Sequence, residues 1–177
     1  MIIAANKIDR PTSRSNYENL KKAYPELLIF PCSADSELAL RQANNHGLIE
    51  YIPGDSSFKI LKELNEKQKT ALETIKVGVL DIYGSTGVQN VLNNTVFDLL
   101  KYIAAFPVAT SKLTDLKGNI LPDCFLLPSS STALNFAFAI HTDFGKNFIK
   151  AIDAKTKQVV GKEHKLKHRD VLEIVTR

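Results

Sequence analysis

The sequence predicts a mixed architecture, part α/β and part α+β, in three successive segments. Three observations carry it. Short apolar runs alternate with amphipathic stretches over residues 1–52. A helical 3–4 spacing dominates 53–105. Strand-like runs flank one apolar helix over 106–177. The chain has 177 residues, 44% hydrophobic and 24% charged, an ordinary globular balance. That excludes a disordered tail, a collagen-like fibre and a disulfide-stapled miniprotein.

Each element follows from its pattern. Ile2-Ile3-Ala4-Ala5 and Leu27-Leu28-Ile29-Phe30 read as buried strands. Between them Tyr17, Leu20 and Tyr24 keep helical spacing over 16–24, which Pro25 closes. Asp35 or Ser36 opens a second helix through Leu38, Ala39 and Ala43, and Gly47 ends it. Pro53-Gly54-Asp55 breaks the pattern. Leu61, Leu64, Ala71, Leu72, Ile75, Val79 and Ile82 then predict one helix that stops at Gly84. Thr86-x-x-Gln89 reads as a capping box for another, with Val88, Leu92, Val96, Leu99 and Ile103 on one face. Together they predict a helical hairpin. Phe106-Pro107 breaks the pattern again. Val108 to Leu113 and Ile120 to Leu127 read as strands around the turn 115–119. Ser131 or Thr132 opens a helix with Ala133, Phe136, Ala137 and Ile140 inward. Residues 148–152 and 171–175 complete a ββαββ unit.

Charge is uneven. The net charge is +4, and all of it arises in the last thirty residues. A polyanion would be met there. Cys32 and Cys124 form no C-x-x-C motif and are expected to be reduced thiols. No run approaches the roughly 18 apolar residues of a membrane-spanning helix. The first residues lack the basic flank and small-residue site of a signal peptide. A cytoplasmic protein with no membrane partner is therefore expected.

Two short motifs carry chemistry. Asn6-Lys7-Ile8-Asp9 directly follows the first strand and resembles the guanine-specificity motif N-K-x-D of GTPases. An Asn amide both donates to and accepts from a purine edge. A carboxylate accepts from N1–H and the 2-amino group of guanine, which adenine does not offer. A Lys stem lies along the base plane. After the second strand comes Cys32-Ser33-Ala34, which resembles the S-A motif of the same proteins, whose Ala amide meets the guanine carbonyl. Both motifs sit at carboxyl ends of strands, where open α/β sheets bind ligands. Asn6 and Asp9 would read the base edge, Lys7 would pack on it, and Ser33 and Ala34 would shape the pocket floor. The phosphate cradle G-x-x-x-x-G-K-[ST] does not occur in the sequence. Asp81-x-x-Gly84 and Asp115-x-x-Gly118 mimic the Mg²⁺-side D-x-x-G motif, but they follow the guanine motif instead of preceding it. This chain alone is expected not to hydrolyse GTP.

Residues 131–145, STALNFAFAIHTDFG, resemble the helix of TGS domains, and 166–175, LKHRDVLEIV, their closing strand. With N-K-x-D upstream, the whole chain is similar to the carboxyl-terminal part of an Obg/YchF-related GTPase of the archaeal and eukaryotic kind. Pro53-Gly54-Asp55-Ser56 and the run 84–89, GSTGVQ, share that likeness. The resemblance implies a partial G-domain sheet over 1–52, a helical segment over 53–105 and a β-grasp TGS domain over 106–177. It also implies GTP or GDP, with Mg²⁺, in a complete G domain, no tight nucleotide binding by this chain alone, and a link to ribosomes or RNA. Two positions depart from the family. Asn135 stands where Asp is usual, and Arg169 where a Gly is expected at a turn, which predicts a positive φ at Arg169. N-K-x-D differs from the N-x-x-E of YchF proteins that prefer ATP, which favours guanine.

Lys155, Lys157, Lys162, Lys165, Lys167 and Arg169 are the candidates for RNA phosphate contacts. Few aromatics interleave, so base stacking is not expected. His164 and His168 are spaced i, i+4 but crowded by cations, and no metal site is expected. His141, at a helix end, suits the helix dipole. Three functions compete: a guanine half-site joined to an RNA- or ribosome-binding TGS domain, half of a split GTPase completed in trans, and a small-ligand-sensing regulatory domain. Self-association through the exposed sheet edge is a further expectation.

Overall fold

The computed structural model describes residues 1–109, 113, 119–120 and 123–177. The strand read at 108–113, the turn at 115–119 and the start of the strand read at 120–127 fall mostly outside these residues. The chain divides into two compact units, Met1–Thr95 and Val96–Arg177.

In the first unit, β1 (Ile2–Ala5) pairs in parallel with β2 (Leu28–Pro31), in register from Ile2↔Leu28 to Ala5↔Pro31. The crossover is α1 (Ser13–Ala23), which begins three residues before the first helical position expected. After β2 comes α2 (Ala34–Asn45), capped by Ser33, whose Oγ accepts from the Ser36 amide at 3.3 Å. A short antiparallel pair follows, β3 (Ile49–Glu50) with β4 (Lys59–Ile60). Leu40, Ile49, Tyr51, Leu64, Leu72 and Leu80 form the core.

The single helix expected from Leu61 to Ile82 starts later. The Leu61 amide donates to the Leu48 carbonyl at 2.9 Å, which extends the β4 pairing. Asn65 then caps α3 (Glu66–Ile75) in a reciprocal box with Gln68. A π-helical turn, Lys76–Leu80, leads into α4 (Asp81–Tyr83), and Gly84 at φ +75° ends it as expected.

The expected helical hairpin does not form. Thr86 caps nothing; the N-cap of α5 (Val88–Asn93) is Gly87. Helix α5 packs against β1. The cause is a close backbone approach. A Cβ on Gly87 would lie 1.9 Å from the Pro31 carbonyl oxygen, and Gly87 sits at φ +80°. The Ser33 amide donates to the Thr86 carbonyl at 2.8 Å, which lays the 84–87 loop along the end of β2. A second π-helical stretch, Asn94–Leu99, follows.

Among the described residues the second unit holds a five-stranded mixed sheet. Its strands are β5 (Tyr102–Val108), β6 (Phe125–Pro128), β7 (Phe148–Asp153), β8 (Val159–Val160) and β9 (Asp170–Thr176), in order β6-β5-β9-β7-β8. Only the central β5–β9 pair is parallel. Across one face lies α6 (Ala133–Ile140), capped by Thr132, followed by α7 (Thr142–Lys146). This is the β-grasp arrangement. Phe136 is fully buried, edge-on to Phe125 with centroids 5.8 Å apart. Ile103, read as a helix position, is in β5 and in this core.

Phe106-Pro107 lies inside β5 and breaks nothing. Pairing with β6 ends at Ala105↔Phe125, and Ala104 bonds toward the β9 side through its carbonyl to Arg169 N. By alternation the missing Pro107 N–H falls on the β6 side, past the last paired residue, so no ladder bond is lost. His141 ends α6 and also caps α7, its Nδ1 accepting from the Asp143 amide at 3.2 Å.

Gly84 and Gly87 share a left-handed backbone, but only Gly87 faces a wall. Gly84→Ala should cost about 1–2 kcal/mol from conformation alone. Gly87→Ala should cost clearly more in denaturant unfolding, because the 84–87 loop must also leave Pro31. Equal costs would mean that the approach to Pro31 is unimportant.

Candidate functional site

The β1–β2 ladder continues past both strands. The Cys32 amide donates to the Ala5 carbonyl at 3.0 Å, and the Ile8 amide to the Cys32 carbonyl at 3.1 Å. These bonds hold the segments 6–9 and 32–34 side by side. Asn6 joins them: its Oδ1 accepts from the Lys7 amide at 2.8 Å and the Ala34 amide at 3.1 Å. Ser33 joins them again, its Oγ donating to Asp9 Oδ1 at 2.8 Å. Asp9 Oδ2 faces Arg10 Nε at 3.4 Å. All five residues read from the sequence as a nucleotide site therefore lie together at the carboxyl ends of two parallel strands. Asn6, Lys7, Asp9 and Ala34 are exposed, and Ser33 is fully buried.

Lys7 sits at φ +66°. Left-handed backbone is uncommon for a residue with a Cβ and costs about 1–2 kcal/mol. The bonds at Asn6 and Ile8 on either side hold the turn in that state. The result aims Asn6 and Asp9 at one edge. Donors, acceptors and a carboxylate are placed there for a planar, polar ring edge. No group of three or more His, Cys, Asp or Glu side chains is placed to hold a metal ion among the described residues.

Beneath this edge lies a buried carboxylate that sequence reading missed. Glu37, on the first turn of α2, accepts from Thr86 Oγ1 at 2.6 Å and Tyr51 OH at 2.9 Å on Oε2, and from Arg41 Nε at 2.7 Å on Oε1. Burial pushes its carboxyl up, but the hydrogen bonds from Thr86, Arg41 and Tyr51 outweigh this and hold it below the usual value. The Tyr51 phenol is pushed up to about 12, by burial and by its bond to Glu37. Burial, with Glu37 nearby, also pushes the Cys32 thiol up. The Glu37–Arg41 spacing of i, i+4 was visible in the sequence, but Thr86 lies 49 residues away from Glu37.

The basic candidates occupy a different place, in the second unit. Lys155 and Lys157 lie on the turn between β7 and β8, and Lys162, Lys165, Lys167 and Arg169 on the connection from β8 to β9. All six are exposed. That connection is pinned to the start of α6. The Ala133 amide donates to the His164 carbonyl at 2.9 Å, the Leu134 amide to the Lys162 carbonyl at 3.2 Å, and the Leu166 amide to the Ser131 carbonyl at 3.0 Å. Leu166 is buried in the core, which turns Lys165 and Lys167 outward. The Lys155 Nζ donates to the Arg169 carbonyl at 2.5 Å and so closes the turn. Arg169 has φ +68°, the positive value its glycine-like position implied. His168 Nδ1 accepts from the Ala104 amide at 3.2 Å, a structural use of that nitrogen. Asn135 completes a capping box with Thr132.

Residues 4–110 match the family described as Obg-like GTPase YGR210-like, G4 motif-containing domain, and residues 115–176 match the TGS domain. An uncharacterised GTP-binding protein of Methanocaldococcus jannaschii is 45% identical over 179 residues, covering 99% of this chain and 45% of that protein. Another, of Schizosaccharomyces pombe, is 34% identical over 143 residues, covering 75% of this chain and 34% of that protein. The crystal structure of a GTP-binding protein from Pyrococcus horikoshii OT3 superposes with a TM-score of 0.71 at 41% identity, covering 100% of this chain and 46% of that one. The YchF GTPase of S. pombe, at 14% identity and TM-score 0.54, shares the fold. The chain thus spans less than half the length of these relatives. With the paired strand-end motifs and the β-grasp unit in place, it belongs to the Obg-like GTPases of the YGR210-like kind and carries a TGS domain.

Proposed function

We propose that the chain supplies the guanine-reading edge of an Obg-like GTP-binding protein and a TGS domain that docks on RNA or the ribosome. One observation carries the first half: Asn6, Lys7, Asp9, Ser33 and Ala34 converge on the ends of β1 and β2. In this reading Asp9 accepts from N1–H and the 2-amino group of guanine, Asn6 meets the imidazole side, and Lys7 covers the ring. The Ala34 amide, which donates to Asn6 in this structure, turns to the guanine carbonyl. The residues fit the base end of GTP or GDP. They do not fit its phosphates: the sequence holds no phosphate cradle, and Mg²⁺ would enter with the phosphates of a complete G domain.

A parallel pair with two strands leaves backbone donors and acceptors open at its edges, and parallel sheets are normally covered on both faces. Further strands must complete it. They come from a segment bearing the P-loop, in the same polypeptide or in a separate one, or from a second copy of this chain. Catalysis belongs to the completed domain. The chain alone should therefore show no GTP turnover, and turnover should appear on mixing with a polypeptide that bears G-x-x-x-x-G-K-[ST]. Turnover by the chain alone would defeat this division of labour.

The identity of the base gives a sharper test. Asp9→Asn replaces an acceptor by a donor, which suits the carbonyl that xanthine presents where guanine has its amino group. In the completed protein this variant should move preference from GDP toward XDP by about tenfold or more. An unchanged GDP preference would remove Asp9 from the base edge.

For the second half, the support is a backbone-anchored loop with its cationic heads in solvent. It suits phosphate contacts, each of which releases counterions and adds to the salt dependence. A cytoplasmic ribosome partner fits this pattern. The test is co-sedimentation with ribosomes at low and high salt, beside a variant with Lys162, Lys165 and Lys167 changed to Glu. Lys155 is spared because it closes the turn. The wild type should pellet at low salt only, and the variant at neither. Pelleting of the variant like the wild type would exclude this face.

A further inference from the structure

We propose that the loop Ser85-Thr86-Gly87, locked by the buried Glu37 carboxylate, is a positioning element for the base-reading edge. It sets Ser33, and through Ser33 it sets the Asp9 carboxylate. The inference rests on the guanine reading above and adds to it residues that no N-K-x-D or S-A motif contains.

The chain of contacts is short. Thr86 is fully buried. Its hydroxyl has one proton, which goes to Glu37 Oε2 at 2.6 Å. Its carbonyl accepts the Ser33 amide at 2.8 Å. Ser33, also fully buried, donates its hydroxyl to Asp9 Oδ1 at 2.8 Å. One lone-pair region of Asp9 Oδ1 is thereby used and Oδ2 faces Arg10 Nε at 3.4 Å, which fixes the carboxylate at both oxygens and leaves further lone pairs for two donors of a base. Gly87 fixes the loop from the other side by lying against the Pro31 carbonyl and Cys32.

Glu37 is the keystone because it accepts from three donors: Thr86 Oγ1, Tyr51 OH and Arg41 Nε. These come from three separate stretches of the chain: the 84–87 loop, the end of β3 and the next turn of α2. A carboxylate with satisfied oxygens in a buried place is a rigid joint, and a half-satisfied one is costly. The loop therefore has one low-energy position on the base-reading edge, whether or not nucleotide is present.

The test uses the full chain with Thr86→Val, which keeps the shape without the hydroxyl, and Thr86→Ser, which restores it. Glu37→Gln serves as a second route, since its amide presents donors to a set of donors. Amide hydrogen exchange without nucleotide should show the Ser33 amide speeding up by roughly tenfold or more in Thr86→Val and Glu37→Gln. Thr86→Ser should exchange like the wild type, and the amides of α3 should keep their protection in every variant. The idea is overturned if the Ser33 amide is unmoved in Thr86→Val, if Thr86→Ser behaves like Thr86→Val, or if α3 loses protection equally. A second arm titrates GDP and ADP into the protein completed by a P-loop-bearing polypeptide while following the Ala34 amide resonance. The wild type should respond to GDP over ADP, and Thr86→Val should lose that preference. If the wild type shows no preference, the guanine reading is lost, while the exchange arm still decides whether the loop positions Ser33. A wild-type preference kept intact in Thr86→Val overturns the positioning role.

Discussion

Ser33 is held by hydrogen bonds from three directions, and the candidate site depends on that arrangement. Its amide is committed to the Thr86 carbonyl, its hydroxyl to Asp9, and its Oγ also accepts the Ser36 amide at the start of α2. A fully buried serine must satisfy each polar atom, because an orphaned donor or acceptor costs about 1–3 kcal/mol. Satisfying all of them leaves little positional freedom. One residue thus ties the end of β2, the cap of α2, the segment after β1 and a loop from beyond α4.

Both units solve the same problem in the same way. Each candidate surface exposes polar heads on a backbone that is held still. In the first unit, ladder bonds past the strand ends and the Asn6 side chain do the holding, and Asn6, Lys7, Asp9 and Ala34 remain open. In the second, Leu166 is buried and the first amides of α6 bond to the basic loop, and Lys162, Lys165 and Lys167 project. The positive φ of Lys7 and Arg169 belongs to this scheme. Left-handed residues other than glycine persist where surrounding bonds over-determine them, and here they sit where the chain must turn sharply beside an exposed polar surface.

The parts legible in the sequence are those set by local rules. Four-residue strands, the apolar face of α6 and the N-K-x-D and S-A pair each declare themselves within a dozen residues, although β1 and β2, read as buried, hold only one buried residue, Ile29, between them. Arg169 was legible too, because a turn that wants glycine imposes its φ on whatever replaces it. The failures come from tertiary competition. Leu61 and Leu64 fit a helical period, yet β3 recruits the backbone at 59–61 and Asn65 is the better cap. Thr86 fits a capping box, yet its hydroxyl is turned to a buried carboxylate 49 residues earlier in the chain, and Gly87 stands as the N-cap. Phe106-Pro107 looks like a break, yet a proline is harmless where its missing donor points past the last strand pair.

That last class of error bears on how the site is built. A motif search finds Asn6, Asp9, Ser33 and Ala34 because each touches the ligand in the family resemblance, and touching residues recur at fixed spacing. Glu37, Tyr51 and Thr86 touch only one another and the backbone that carries the motif. Their spacing is set by loop lengths, so no short pattern encodes them. In the proposed reading they govern how sharply Asp9 is aimed, and a carboxylate that is to distinguish two bases by one amino group must be aimed closely. Discrimination then comes as much from the stiffness of the buried joint as from the chemistry of the exposed residue. A site with the right motif and a slack joint would keep its contacts and lose much of its selectivity.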